Sequence, residues 1–544
     1  MGSENGLPQI PEGWCWTTGD VVFSFITSGS RGWAQYYADS GVAFLRMGNL
    51  NHASITIDLT DIQRVRLPQG VEGTRSRVQK GDILLSITAD IGMIGLVPEN
   101  FEEAYINQHV ALARPFPKLN AAFLAWYLAA QYGAQKQFLE LQRGATKTGL
   151  GLDDIRAIKI PLPPRREQER IVEKIEELFT QLDAGVELLK KLKKKLKRYR
   201  QAVLKAAVEG KLTQEWREAH RDTLEPASVL RDRILKERRE KWEADQLAQM
   251  QAKGKLPKDD SWKKKYKEPT PPKTADLPEL PDGWIWVSLE QVSWDCGYGT
   301  SEKCDYSFSG YPVLRIPNLV EGKIVLDDLK FALGAKSSNL SNSLATGDLL
   351  VIRTNGSRDL IGRAALVTQN YEKPHFFASY LIRFRIVNTE DLPYWVSQIW
   401  HYSRIRQWIE SAAATSAGQY NVSLTTLNNL ALELPPSAEQ KRIHEELEQC
   451  FSIINQIEKS IEKNLKRAER LRQSILKQAF EGKLVPQDPN DEPASVLCDR
   501  IKAEKAKREA EMKAKRKNTV KNRKSNASSP QLEMFQGSVE EPES

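Results

Sequence analysis

The sequence predicts an α+β protein: two mixed α/β domains in a tandem pseudo-twofold repeat, served by two long helices of coiled-coil character. Three observations carry this. Small or apolar residues recur at alternating steps of four and three from Ile171 onward, through Ile175, Leu178, Leu182, Gly185, Leu189, Leu192, Leu196, Tyr199, Val203 and Ala206, which is a heptad seam. The pattern returns 272 residues later as Ile443, Leu447, Cys450, Ile454, Ile457, Ile461, Asn464, Ala468, Leu471 and Ile475. Landmarks outside the helices also return, at offsets of 266 to 272 residues. Two copies of this length are too few and too long for a solenoid and point to a duplicated unit.

In chain order, residues 1–160 read as the first mixed domain. It opens on Leu7-Pro-Gln-Ile-Pro-Glu-Gly-Trp-Cys-Trp, which returns as Leu277-Pro-Glu-Leu-Pro-Asp-Gly-Trp-Ile-Trp. Val42-Ala-Phe-Leu-Arg-Met and Asp82-Ile-Leu-Leu-Ser-Ile are short apolar runs bounded by Gly, Asp and Asn, as strands are. Arg46-Met-Gly-Asn49 returns as Arg315-Ile-Pro-Asn318, and Gly81-Asp-Ile-Leu-Leu as Gly347-Asp-Leu-Leu-Val. Residues 121–130 are helical in period, with residues 394–402 in their place in the second copy. A glycine-rich loop follows at 143–151, matched by 412–420.

Residues 161–212 form the first long helix, entered through Pro161-Leu-Pro-Pro and closed by Glu209-Gly-Lys-Leu. The 45 residues from Arg165 to Glu209 extend roughly 68 Å as a helix. Residues 213–276 hold a charged helix and a basic, proline-containing linker. The second domain spans 277–433 and the second long helix 434–484, ending on Glu481-Gly-Lys-Leu. Residues 485–518 read as a basic helical tail that repeats Glu-Pro-Ala-Ser-Val-Leu, and 519–544 as a disordered tail.

Charge narrows the function less than its total suggests. The chain is +8 overall, but residues 1–160 carry 14 Lys/Arg against 15 Asp/Glu, and 277–434 carry 13 against 16, so the two domains are −1 and −3. The excess lies on helices and tails: 9 basic against 1 acidic residue over 187–205, and 12 against 4 over 499–524. Such runs are ordinarily solvated faces. The five scattered cysteines make no CxxC, which points to a reducing, cytoplasmic setting.

Catalytic signatures are missing. No Gly-x-x-x-x-Gly-Lys-Ser/Thr cradles a phosphate, and the six histidines show no ligand spacing. The Pro-Pro pairs follow Leu162, Thr270 and Leu434, where an adenine methyltransferase loop needs Asp, Asn or Ser before them. One Glu-x-Lys, at 321–323, pairs with Asp282 only as a forced nuclease motif. A recognition or scaffold component fits better than an enzyme.

The long helices begin with Glu167-Gln-Glu-Arg-Ile171 and Glu439-Gln-Lys-Arg-Ile443, each behind a Pro-Pro, and each mixed domain opens on Pro-x-Gly-Trp-x-Trp. In order, spacing and duplication the chain resembles the DNA-specificity subunit of type I restriction–modification systems over about residues 7–502. The resemblance implies two target-recognition domains, each reading one half of a bipartite, asymmetric DNA sequence. It also implies an antiparallel helix pair that spaces them and docks two adenine-methyltransferase subunits, and through them the restriction/translocase subunits. The chain itself would be non-catalytic, with S-adenosylmethionine bound in the methyltransferase and ATP and magnesium in the restriction partner. A related methylation-only or non-type-I system is the alternative. Ile171, Leu182, Leu189, Leu196, Ile443, Ile454, Ile461 and Leu471 are expected to pair the spacer helices.

Arginine and lysine read guanine in the major groove, and Asn or Gln read adenine. Loop candidates are therefore Arg31, Trp33, Arg46, Asn49, Arg75, Arg77, Thr146 and Lys147 in the first domain. In the second they are Arg315, Asn318, Arg353, Asn355, Arg358, Gln419 and Tyr420. A surface or salt-bridging role is the alternative for each. Arg46 and Arg315 match across the repeat and so suit backbone phosphate better than a base. Near the C-terminus, Gln531-Leu-Glu-Met-Phe535 resembles the peptide by which bacterial proteins hook the replication sliding clamp, with Met534 where Leu is usual; a chance pentapeptide is the alternative.

Overall fold

The computed structural model describes residues 7–67, 74–142, 149–307, 309–332, 342–387, 391–416 and 418–526. The chain forms two compact units, one of residues 1–189 with 463–544 and the other of 190–462. The boundaries fall within the long helices, Arg165–Val208 and Ser437–Phe480, each 44 residues. Each unit therefore holds one mixed domain, the start of one long helix and the end of the other, where the sequence suggested helices standing apart from the domains.

In the first unit a four-stranded sheet runs in the order Phe23–Ser28, Val110–Pro115, Ile83–Ser86, Ile94–Leu96, and a second runs Tyr37–Ala38, Gln63–Val65, Val42–Leu45, Ala104–Ile106. Cys15–Thr18 pairs antiparallel with Lys159–Leu162, so the domain's first strand closes on its last. The second unit repeats this plan. Its main sheet has six strands, with Asp348–Ile352 between Leu381–Ile386 and Ala364–Leu366, and Ile285–Ser288 closes on Ala431–Leu434.

The repeated sequence landmarks are the joints of this plan. Gly13 and Gly283 adopt φ of +87° and +83°, which an L side chain resists. Their carbonyls accept the first amides of two helices: Ala494 N at 2.8 Å and Ala227 N at 2.9 Å. The next residue is the motif tryptophan. Trp14 Nε1 donates to Glu167 at 3.0 Å, and Trp284 Nε1 to Glu439 at 2.7 Å. Both carboxylates are buried in the first turn of a long helix, where the helix dipole favours negative charge. The following glutamine caps the same turn: Gln168 Nε2 donates to Pro163 O and Gln440 Nε2 to Pro435 O, each at 2.9 Å. Gly-Asp is likewise structural. Arg114 grips the fully buried Asp82 with two bonds of 2.7 and 2.8 Å, and Arg385 grips Asp348 with the same two distances.

Within each unit the long helices run antiparallel. Lys193 meets Glu462 at 3.0 Å and Arg200 meets Glu458 at 3.4 Å in the second unit. In the first, Arg472 pairs with Asp183 and lies 4.2 Å over the Phe179 ring. Leu196, Ile443, Ile454 and Ile461 are buried, as is Ile171; Leu182 and Leu189 are half-buried. Leu471 departs from expectation at 44% exposed, as do Tyr199 at 55% and Leu192 at 42%; Gly185 and Asn464 are exposed too. The helix ends explain this. Ile171, Val172, Ile175 and Phe179 sink into the first unit's core together with Leu476, Ala479 and Phe480 of the other helix. Val203, Leu204, Ala207 and Val208 join the second unit's core with Ile443 and Leu447. Burial there is wider than a two-helix seam, and the strict heptad places a few mid-helix residues on the wrong side.

The basic tail is helical from Ala494 to Asn526, so its helix continues past the coil expected from residue 519. It packs on the first unit: Lys505 Nζ reaches Asp20 at 2.6 Å, and Cys498 Sγ lies 2.9 Å from Cys15 Sγ. That contact draws the Cys498 thiol down to about 7 and pushes Cys15 up. The pairing of cysteines 483 residues apart was not legible in the sequence.

Candidate nucleic-acid interface

In both units the central Gly-Asp strand ends at the same kind of edge. Asp348–Ile352 continues through Arg353 into Thr354–Asn355, which pairs with Gln419–Asn421, and that strand turns back onto Ala414–Ser416. Thr354 lies opposite Asn421 and Asn355 opposite Tyr420. The small sheet thus gathers Asn355, Gln419 and Tyr420, with Arg353 at its root and Arg358 in the loop beyond. Arg353 lies 4.4 Å over the ring of Tyr298, and its Nε donates to Thr354 Oγ1 at 3.3 Å. Tyr298 is 45% exposed and ends the strand Ser293–Tyr298. Gln419 and Arg358 are exposed.

The first unit builds the equivalent edge from Ile83–Ser86. Thr88 bridges to Gly149, and Leu150 N donates to Ile87 O at 2.9 Å. Beside it, Thr88 Oγ1 is 2.7 Å from His109 Nδ1, and Gln108 Nε2 is 2.9 Å from His109 Nε2. Thr88 and Gln108 thus hold the two ring nitrogens of His109 from opposite sides. His52 Nε2 meets Asp90 Oδ1 at 2.8 Å. Ala89, between them, has φ of +60°, a left-handed conformation that a non-glycine adopts at some energetic cost. Gly29 and Gly299 hold the neighbouring strand close: a Cβ on either would overlap carbonyl oxygens, those of Ile106 and Asn107 or of Phe377 and Ala378.

The candidates from sequence divide accordingly. Trp33 is in the core, stacked on Phe44 at 5.1 Å. Asn49 and Asn318 are buried and fully used. Asn49 accepts from Arg46 N at 2.9 Å and donates to Asp58 O and Asp61 O; Asn318 accepts from Arg315 N at 2.8 Å and donates to Val325 O and Asp327 O. These three cannot present a side chain to a base. Arg46 and Arg315 stand beside those turns and are ion-paired within their own domains, to Asp61 at 3.3 Å and Asp328 at 2.9 Å. Arg77 pairs with Glu103 at 3.3 Å. Arg31 and Arg75 are exposed. Thr146 and Lys147 lie outside the described residues, as does the Gln531–Phe535 segment. Sequence reasoning missed Tyr298, Thr88, Gln108 and His109; the signal available was divergence inside a repeated frame. Where the second unit has Tyr298, Ser379 and Tyr380, the first has Ser28, Gln108 and His109.

Among the described residues no group of His, Cys, Asp and Glu is arranged to hold a metal ion. No helix there is long and apolar enough to cross a membrane.

The family profile described as "Type I restriction modification DNA specificity domain" matches residues 49–198 and 281–467, more than half of the chain. The chain belongs to that family. Among curated relatives of this specificity subunit, the EcoKI specificity subunit of Escherichia coli K12 is 25% identical, over 92% of this chain and 97% of its own length. The StySPI specificity subunit of Salmonella potsdam is also 25% identical, over 92% and 96%. A solved structure described as the structural basis of complex assembly and conformational transition of the type I R-M system covers 88% of this chain and 100% of its own. It superposes with a TM-score of 0.61 at 16% identity, a likeness of fold. This specificity subunit accordingly carries the family's DNA-sequence recognition on two mixed domains in tandem, each with its share of the long helices.

Proposed function

We propose that this specificity subunit reads a bipartite, asymmetric DNA target, one half-site per domain, and directs adenine methylation there without catalysing it. The observation that carries the reading is one scaffold with two different edges. The Gly-Trp joint, the Asp–Arg clasp and the Asn turn are the same in both units, while the strand-end residues differ. Identical framing with divergent tips suits two readers of different base sequences. In the first domain Arg31, Arg75, Gln108 and His109 are offered as readers. In the second the readers are Tyr298, Arg353, Asn355, Arg358, Gln419 and Tyr420. The half-helices docked into each unit suit a spacer that also seats two adenine-methyltransferase subunits, and through them restriction/translocase subunits. S-adenosylmethionine would bind in the methyltransferase, and ATP and magnesium in the restriction partner.

Affinity tests this reading. The domains carry −1 and −3 by sequence, and phosphate neutralisation ordinarily dominates DNA affinity. This chain alone is expected to bind DNA weakly at physiological salt, and tightly with the methyltransferase pair. Equal affinity in both gel-shift titrations would contradict the division of labour.

The Gln531–Phe535 peptide is a separate proposal, a hook for the sliding clamp that would bring modification to newly replicated DNA. A labelled peptide spanning 526–539 should bind purified clamp. No binding at ~100 μM, about −5.5 kcal/mol, or binding indifferent to Leu532→Ala and Phe535→Ala, would dispose of it.

A further inference from the structure

Cys15 and Cys498 are the only two cysteines in the sequence of the first unit, and the fold brings their sulfurs to 2.9 Å. One sits on the strand Cys15–Thr18, the other in the second turn of the helix Ala494–Asn526. Cys498 is 4% exposed and Cys15 is half-buried. The second unit makes the same joint of strand and helix without sulfur. There the helix Ala227–Ala252 begins on Gly283 O, as the C-terminal helix begins on Gly13 O. The residues in register with the two cysteines are Ile285 and Arg231, and Arg231 pairs with Asp232 on its own helix. The joint therefore folds without a thiol pair, and its packing does not call for one.

The surroundings make one sulfur the nucleophile. The hydrogen bond with Cys15, then Thr17 and the Lys502 ammonium, favour the Cys498 thiolate against its burial and draw it down to about 7; Cys15 is pushed up. The thiolate, not the thiol, attacks an oxidant. With Cys498 so little exposed, a small oxidant such as a peroxide reaches it more readily than a bulky disulfide. Sulfurs already in contact need only a small approach to reach the bond length of about 2.05 Å. Disulfides of the reducing cytosol are usually transient and redox-sensing, which is the behaviour such a pair supports.

We infer that Cys15 and Cys498 are a redox-modification site, closed by a peroxide into a reversible disulfide that staples the C-terminal helix to the first strand of the first mixed domain. The Cys498 thiolate attacks one peroxide oxygen. The O–O bond breaks, the leaving hydroxide takes a proton from solvent to become water, and Cys498 becomes a sulfenic acid. The Cys15 thiol then attacks that sulfur. The S–S bond forms, the S–O bond breaks, and the hydroxide leaves with the Cys15 proton as a second water. Two thiols lose two electrons and the peroxide gains them. A dithiol reverses the change by exchange. In the reduced state the helix is held by Ala494 N on Gly13 O, by Lys505 on Asp20 at 2.6 Å, and by burial of Leu497 and Ile501. A covalent bond at residue 498 stops these contacts from opening together. It also fixes the residue next to Trp14, whose indole joins the domain to Glu167 of the long helix.

The test uses the full reduced chain and hydrogen peroxide. A maleimide added in denaturant should label all five cysteines before oxidation and three, two fewer, after it. Digestion of the oxidised chain should give one linked peptide pair, holding Cys15 and Cys498. Cys15→Ser should halt the reaction at the Cys498 sulfenic acid, which dimedone captures, and Cys498→Ser should leave Cys15 a free thiol. Amide hydrogen exchange over residues 494–501 should slow several-fold on oxidation and recover with dithiothreitol. Five thiols surviving peroxide would overturn the proposal. So would a link that involves Cys296, Cys304 or Cys450 or joins two chains, or exchange over 494–501 that is the same in both states. Loss of Cys15 as fast in Cys498→Ser as in wild type would overturn the order of attack.

Discussion

Glu439→Ala is expected to destabilise the second unit by about 3–5 kcal/mol, the range for removing one partner from a buried, hydrogen-bonded ion pair. The carboxylate is fully buried and accepts from Arg217 Nη1 at 2.6 Å, Thr213 Oγ1 at 2.7 Å and Trp284 Nε1 at 2.7 Å. Its loss strands a guanidinium that is 13% exposed. It also uncouples the opening motif of the domain from the helix that follows it. Glu167→Ala removes the counterpart in the first unit, where the partners are the neutral Trp14 and Gln487. The cost there should be smaller, about 1–3 kcal/mol. Chemical denaturation of the two variants, followed by tryptophan fluorescence, separates them. Equal losses would mean that Arg217 adds nothing to the second joint.

Exchange of residues 7–163 for the corresponding domain of another specificity subunit is expected to replace one half-site completely and leave the other untouched. The structure sets the cut. Cys15–Thr18 and Lys159–Leu162 pair along their length, so a junction at the Pro163-Pro164 pair keeps that ladder within one donor. The imported Gly-Trp must still find Glu167. Mapping of methylated adenines in cells carrying the exchange checks the outcome; change in both half-sites would show that the domains do not read independently.

Much of the fold was legible because duplication prints structural residues twice. Gly13, Trp14 and Asp82 recur as Gly283, Trp284 and Asp348 with the same bonding in both places; Glu167 recurs as Glu439, and both accept from the motif tryptophan while their other partners differ. The same regularity did not separate DNA contacts from joints. Asn49 and Asn318 have the chemistry of base recognition and recur, yet their side chains are consumed by the backbone of a turn. Arg46 and Arg315, which recurrence already assigned to phosphate rather than to a base, pair with aspartates beside those turns. Tyr298 and His109, by contrast, stand where the two copies differ. Their nearness to Arg353 and Thr88 depends on strand pairings across scores of residues, which local pattern does not encode. The helix seam failed for a related reason. A heptad describes two helices meeting only each other, whereas these bury their ends in domain cores and leave Tyr199 and Leu471 facing outward.

The central claim is that one chain directs methylation to a target made of two different half-sites. Single-molecule sequencing of methylated adenines tests it most directly, in a methylation-deficient host given this chain and its methyltransferase. The account predicts one motif of two unlike specified segments separated by a fixed unspecified gap, with a modified adenine in each. A continuous motif, two identical half-sites, or methylation that persists without this chain would contradict it.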